Sequence, residues 1–188
     1  MTLVALAGTL AAIAMAVPAS AGESAQAQAS EGAANTVFIR GGGENLHFVA
    51  PATIIQGEEL RVVNQTKPSK VGPHTFSLVS ESLVPKTRKD RKLCFTPHHI
   101  CKAVAAWHGV KGEGPPTKNP AKAGKAGWDT MGSLSKKGDS WFTGQKPEAS
   151  FAQPVTIDTS SGPTEIHFMC VIHPWMHGSI EVLPPSGS

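Results

Sequence analysis

Near the C-terminal end of this chain, the run Cys170-Val171-Ile172-His173-Pro174-Trp175-Met176-His177-Gly178 narrows what the protein can become. A thiol, an imidazole and a thioether stand within seven residues, directly after a stretch with strand character at 164–169. Thiolate and thioether are soft donors that suit copper, whereas imidazole suits several metals. Two histidines, one cysteine and a weak axial methionine make a blue-copper electron-transfer site. The run supplies three of those four groups. The second imidazole must come from elsewhere, and Val71-Gly72-Pro73-His74-Thr75-Phe76 offers His74 at the start of a strand. The expected ligand set is therefore His74, Cys170, His173 and Met176, holding one copper ion per chain. Taken singly, Cys170 reads as a small buried hydrophobe, Met176 as core and His74 as an ordinary turn histidine. It is their joint spacing that points to a metal. His177 reads as a surface residue, and His47, His108 and His167 as structural or exposed.

Such ligands need a rigid frame, and the rest of the chain reads as short strands. β-type runs occur at 36–39, 46–49, 51–55, 60–64, 75–79, 154–157, 164–169 and 179–183, separated by turn residues. With 19 glycines, 15 prolines and 40% hydrophobic residues in 188, the composition fits one all-β domain with a real core. Alternating short strands point to a β-sandwich. The net charge of +3 gives no argument for nucleic-acid binding. Residues 1–21 form an uncharged apolar run ending in Ala19-Ser20-Ala21, a signal-peptide pattern that lacks only the leading Lys or Arg. The competing reading is an uncleaved anchor, since the run is nearly long enough to span a bilayer. Residues 22–34 read as a flexible linker. Cleavage would leave a soluble domain at 35–188 in the periplasm or outside the cell, with no membrane attachment.

The segment Cys-x2-His-Pro-x-Met-x-Gly resembles the copper loop of the cupredoxins, the blue type 1 copper proteins, with a spacing closest to amicyanin and pseudoazurin. The stretch Ile54-Ile55-Gln56-Gly57-Glu58-Glu59-Leu60-Arg61-Val62-Val63-Asn64, followed by Pro73-His74-Thr75, is similar to the strand-turn-strand that leads to the first histidine in that family. The matches cover roughly residues 35–80 and 138–184. The resemblance implies a Greek-key sandwich with copper at one end, shuttling one electron between larger redox proteins; the chain itself is expected to be a monomer. Many members carry Asn after the first histidine where this chain has Thr75, which bears on the hydrogen bond between the two ligand loops. His173 lies among Ile172, Pro174 and Trp175, so Pro174 and Trp175 are expected to form an apolar electron-transfer surface around its ring.

Between the two halves lies an insertion at about 81–150, longer than in the small members, with Lys/Arg clusters and little strand signal. It is expected to be partly ordered, with a short helix at 101–107 and a strand at 140–142. There are three cysteines, and copper ligation of Cys170 leaves Cys94 and Cys101. These read as a disulfide, worth about 2–3 kcal/mol for so short a loop on a chain-entropy estimate. The rival is a second metal site from Cys94, His98, His99 and Cys101, although zinc sites usually draw ligand pairs from separate segments. Lys86, Arg88, Lys89, Arg91 and Lys92 read either as a solvated loop or as a docking patch for an acidic partner. Three functions compete: an electron carrier, a copper storage or delivery protein, and a copper enzyme. The enzyme needs His-x-His ligand pairs, which the chain lacks, and a second cupredoxin domain, for which it is too short.

Overall fold

A computed structural model describes residues 34–110 and 127–187. The expected leader at 1–21, all but the last residue of the expected linker, and residues 111–126 of the insertion lie outside these. The described strands are β1 (Thr36–Arg40), β2 (His47–Val49), β3 (Thr53–Ile55), β4 (Glu59–Asn64), β5 (Thr75–Leu78), β6 (Ser140–Phe142), β7 (Ser150–Pro154), β8 (Thr164–Met169) and β9 (His177–Leu183). They form two mixed sheets, ordered β2-β1-β4-β7 and β3-β9-β8-β5-β6. Among the named strand pairs, β1 with β4 and β3 with β9 run parallel and the rest antiparallel.

Side chains alternate across a strand, so a period-two apolar pattern buries one face. β4 buries Leu60, Val62 and Asn64, and β9 buries Ile180 and Val182. With Val37 and Ile39 of β1, Phe76 and Leu78 of β5, and Ile166 and Phe168 of β8, the apolar members form one cluster fed by both sheets. Phe168 and Phe76 lie with ring centroids 4.7 Å apart, and Phe48 meets both edge-on. This core fixes where the strands end, and strand ends are where the candidate ligands stand. β8 and β9 pair antiparallel up to Met169 opposite His177, so residues 170–176 are the connection between them. β5 runs antiparallel to β8 with Ser77 opposite Met169, which puts the start of β5 beside the end of β8.

The insertion is more ordered than expected where it is described. It carries two helices, α2 (Arg88–Leu93) and α3 (Ile100–Trp107); a shorter one, α1 (Pro68–Val71), precedes β5. The helix expected at 101–107 is thus present, and the strand at 140–142 is β6. Helix α2 was not foreseen, because Arg88-Lys89-Asp90-Arg91-Lys92-Leu93 has no apolar stripe. A reciprocal cap at its start supports it instead: Thr87 Oγ1 accepts from the Asp90 N–H, and the Thr87 N–H donates to the Asp90 carboxylate. The Cys94–Cys101 disulfide is present and joins α2 to α3. Below it, Val79, Val84, Ile100, Val104 and Trp107 make a second core that also takes in Met169 and Val171, the two neighbours of Cys170. β7 falls at 150–154 rather than 154–157, leaving Val155 buried in an isolated bridge to Trp128.

Trp107 holds α3 against the second half of the chain. A Cβ at Gly132 would lie 2.0 Å from the Trp107 ring and 2.6 Å from the Gly138 backbone nitrogen. Neither the indole nor backbone can yield that much, so only glycine fits. Gly132→Ala should lower stability by about 1–3 kcal/mol through overpacking, measured by urea unfolding. Unchanged stability would mean that α3 does not dock there.

Candidate metal centre

His74 ends the stretch that leads into β5, and its backbone is tied on both sides to Thr143. The His74 N–H donates to Thr143 Oγ1 at 2.9 Å, and the Thr143 N–H donates to the His74 carbonyl at 2.9 Å. Cys170 follows β8, and its N–H donates to the Met176 carbonyl at 2.9 Å. The Met176 N–H donates to the His173 carbonyl at 2.8 Å. These two bonds close the loop upon itself and turn the Cys170 and His173 side chains to the same side as His74. Cys170 Sγ lies 3.9 Å from His74 Nδ1 and 3.6 Å from His173 Nδ1. The three donor atoms all fall within 4.8 Å of one another, and Cys170 and His74 are fully buried.

The spacing can be tested against an ion. With bonds of about 2.3 Å to sulfur and about 2.0 Å to nitrogen and an angle near 120°, two donors stand about 3.7 Å apart. The observed sulfur–nitrogen separations bracket that figure, so the residues fit a single first-row metal ion without rearranging the backbone. Among the described residues this is the one group of three such donors close enough to share a metal.

Neighbouring groups set which nitrogen is free. The Thr66 N–H donates to Asn64 Oδ1 at 3.0 Å, so the atom of Asn64 that faces it is the oxygen. Thr66 Oγ1–H donates to the same oxygen at 2.8 Å. Having spent its proton there, Thr66 Oγ1 accepts from His74 Nε2 at 3.1 Å. His74 is thereby held as the Nε2–H tautomer with its Nδ1 lone pair turned to the sulfur, as a ligating histidine requires. Burial and the facing His173 ring push the His74 imidazole down from 6.5 to about 4. Burial also lowers His173, against an opposing hydrogen bond to the Val71 backbone. Both rings therefore keep their lone pairs at neutral pH. Burial pushes the Cys170 thiol up, opposed by hydrogen bonds from the backbone of Thr75, His173 and Ile172 and from the Thr75 side chain.

Thr75 stands where the resemblance leads one to expect Asn, and it does join the two ligand loops. Its N–H donates to Cys170 Sγ at 3.4 Å, and its Oγ1 accepts from the Val171 N–H at 2.9 Å. Met176 is buried in the same core cluster as Cys170, at the closing end of the loop. Trp175 is half-buried and meets the His173 ring edge-on, centroids 5.2 Å apart. Pro174, expected on the same surface, is buried instead, because the turn closed by the Met176–His173 bond folds it inward. His47 and His177 are exposed, and His167 is half-buried near Glu81 and Glu165. His108, read as structural or exposed, is 1% exposed and bonds to Ser140. Thr66, Asn64 and Thr143 went unnoticed in the sequence, since nothing in their spacing marks a hydroxyl or amide that will meet a ligand through the fold. The Cys94–Cys101 bridge removes both thiols from the rival second metal site.

No family model matches this chain, and neither does any curated protein. The chain's own geometry gives a buried His/Cys/His cluster able to bind a metal ion.

Two measurements follow. Because both imidazoles are neutral above about pH 6.5 while the thiol is protonated, an ion that binds must release one proton, from Cys170. Apparent affinity should rise about tenfold per pH unit from pH 7 to 8.5, followed with Co2+ as a spectroscopic probe. A slope of two or more would show that the histidines compete with protons as well. Thr66→Val, which removes the bond orienting His74, should weaken binding of the same probe about 10- to 100-fold; equal affinity would deny Thr66 that role.

Proposed function

We propose that the chain is a cupredoxin-like blue type 1 copper protein, a Greek-key sandwich that carries single electrons between larger redox proteins outside the cytoplasm. The observation that carries this is the buried convergence of His74 Nδ1, Cys170 Sγ and His173 Nδ1 on one point, with Met176 closing the same loop. His74, Cys170 and His173 would be the strong ligands and Met176 the weak axial one. A soft thiolate with two imidazoles and a thioether selects copper over metals that prefer oxygen. One copper ion per chain would supply a Cu(I)/Cu(II) couple.

The chain's own part is to hold the donors still in both states. His74 is pinned through Thr143 and Thr66, and Cys170 through Thr75 and Met176. The Thr75 N–H, donating to a sulfur that is fully buried, offsets its charge. That rigidity and the buried axial Met favour a carrier over a storage or delivery protein, whose site must open to exchange its ion. No catalytic step is assigned to any residue.

Electrons would pass by the His173 edge, where Trp175 forms the apolar surface. Beside it lies a cleft of about 600 Å³ lined by Glu44, Arg88, Arg91 and Trp175. Helix α2, with Lys86 before it, brings its basic side chains to this end, since both Lys86 and Arg91 act on the His177 ring. A transient acidic redox partner fits such a surface, with charge speeding the encounter. Among the described residues no helix is long and apolar enough to cross a membrane.

Copper(II) should bind one per chain with an intense thiolate-to-copper charge-transfer band, and Cys170→Ser should abolish the band while the fold persists. A band that survives in C170S would overturn the ligand assignment. Trp175→Asp should slow electron exchange with a large acidic redox protein by about tenfold, the loss of one contact worth about 1.4 kcal/mol. Exchange with a small inorganic reagent should hardly change. Equal slowing with both would place the route elsewhere.

A further inference from the structure

Three separate stretches of the chain meet beside the candidate metal centre. Glu44 stands on the short turn after β1, Trp175 on the 170–176 loop, and Arg88 and Arg91 on helix α2 of the insertion. The two arginines are three residues apart and so share one face of that helix. Together the four residues line the cleft of about 600 Å³, a size typical of small-molecule sites. A smaller cleft of about 230 Å³ shares Glu44 and Trp175 with it and is lined also by Lys70 and His173.

Two donors in the larger cleft stand out. Among the described residues, Arg91 Nε and Trp175 Nε1 are buried nitrogens without a hydrogen-bond partner. Both can only donate, since neither the guanidinium nor the indole nitrogen offers a lone pair. Burying a donor without an acceptor is costly, and native structures leave few such groups unexplained. Two of them on one cleft call for one acceptor. The carboxylates of α2 and its approach are otherwise engaged, Asp90 with Thr87 and Glu81 with Lys86. Among the described residues neither Arg88 nor Arg91 belongs to an ion pair. As whole side chains Arg91 and Trp175 are only half-buried, so each can turn its N–H to an acceptor in the cleft while the backbone stays in place.

Charge and shape narrow the acceptor. Two guanidinium groups and the Glu44 carboxylate leave the lining with one surplus positive charge. A monoanion balances that surplus, whereas a phosphate dianion exceeds it and is set against Glu44. The two coplanar oxygens of a carboxylate also match the guanidinium fork. We propose that this cleft binds a small organic acid through its carboxylate, with Arg91 and Trp175 as hydrogen-bond donors, Arg88 adding charge and the indole of Trp175 packing on the apolar part. Glu44 limits the site to a single negative charge. No proposed metal ligand takes part, so the site stands whether or not copper binds. On the copper reading, an acid held there covers Trp175 and competes with an incoming redox partner.

Benzoate serves as the probe, with benzamide as its neutral counterpart and inorganic phosphate as the dianion. The metal-free full chain is titrated at constant ionic strength, and 1H–15N spectra follow the Trp175 indole N–H, assigned by its loss in Trp175→Phe. Benzoate should move that signal saturably, and benzamide and phosphate should bind at least about tenfold more weakly. Arg91→Gln should weaken benzoate about tenfold, as expected for one charge-assisted hydrogen bond. Glu44→Gln should tighten it about threefold. Because Glu44 lies on an exposed turn, that variant keeps the test open if a change in α2 disturbs the helix. A Trp175 signal that benzoate does not move overturns the inference, as do equal responses to benzoate and benzamide. Tighter binding of phosphate than of benzoate, or unchanged affinity in both variants, overturns it too. The copper reading is untouched by any of these results, and a protein without the copper band leaves the titration as it is.

Discussion

The metal end depends on the pairing of β5 with β8. His74 and Cys170 stand 96 residues apart, and nothing local brings them together. The antiparallel register that sets Ser77 opposite Met169 lays the start of one strand along the end of the other. The bonds from Thr75 to Cys170 Sγ and Val171 then continue that register past the last ladder pair. The register is itself fixed by packing. A slip of one residue would turn Phe76 and Leu78 out of the main core and put Thr75 and Ser77 into it. The centre is therefore held by the hydrophobic core at one remove, and a tight hairpin loop supplies the remaining donors within a few residues.

A second constraint comes from the insertion. Two cores meet at Cys170: its side chain belongs to the main one, while Met169 and Val171 on either side belong to the one built under α3. A candidate ligand clamped on both faces would have little freedom to follow a change in the charge of a bound ion. The disulfide, the cap on α2 and the seat of Trp107 on Gly132 serve the same end, because each fixes a piece of the insertion that would otherwise leave that second face open. The polar groups trapped between the layers had to find partners there, and the Ser77–Ser140–His108 chain is how they do so.

Much of this was legible in the residues. The soft-donor loop announced itself through spacing, and His74 through its place before a strand. Most strands could be read from alternation and turn residues, and the disulfide followed from cysteine parity. What stayed hidden depends on contacts across the fold. Helix α2 has no periodic apolar face and stands on a cap and a disulfide. β7 was displaced because Val155 looked like the middle of a strand and is instead a buried bridge residue. Pro174 looked exposed by its neighbours, and a turn within the loop buries it. Thr66, Thr143, Ser140 and His108 are ordinary in sequence and acquire meaning only through partners 8 to 69 residues away.

We propose that one thiolate and two imidazoles converge on a single copper ion in a site too rigid to change with its charge. X-ray absorption at the copper edge tests it most directly, on the loaded protein in its oxidised and its reduced state. The expected result is a first shell of one short sulfur and two imidazole nitrogens, with nearly the same distances in both states. A shell of oxygen and nitrogen donors without sulfur, or one that loses a ligand on reduction, would contradict it.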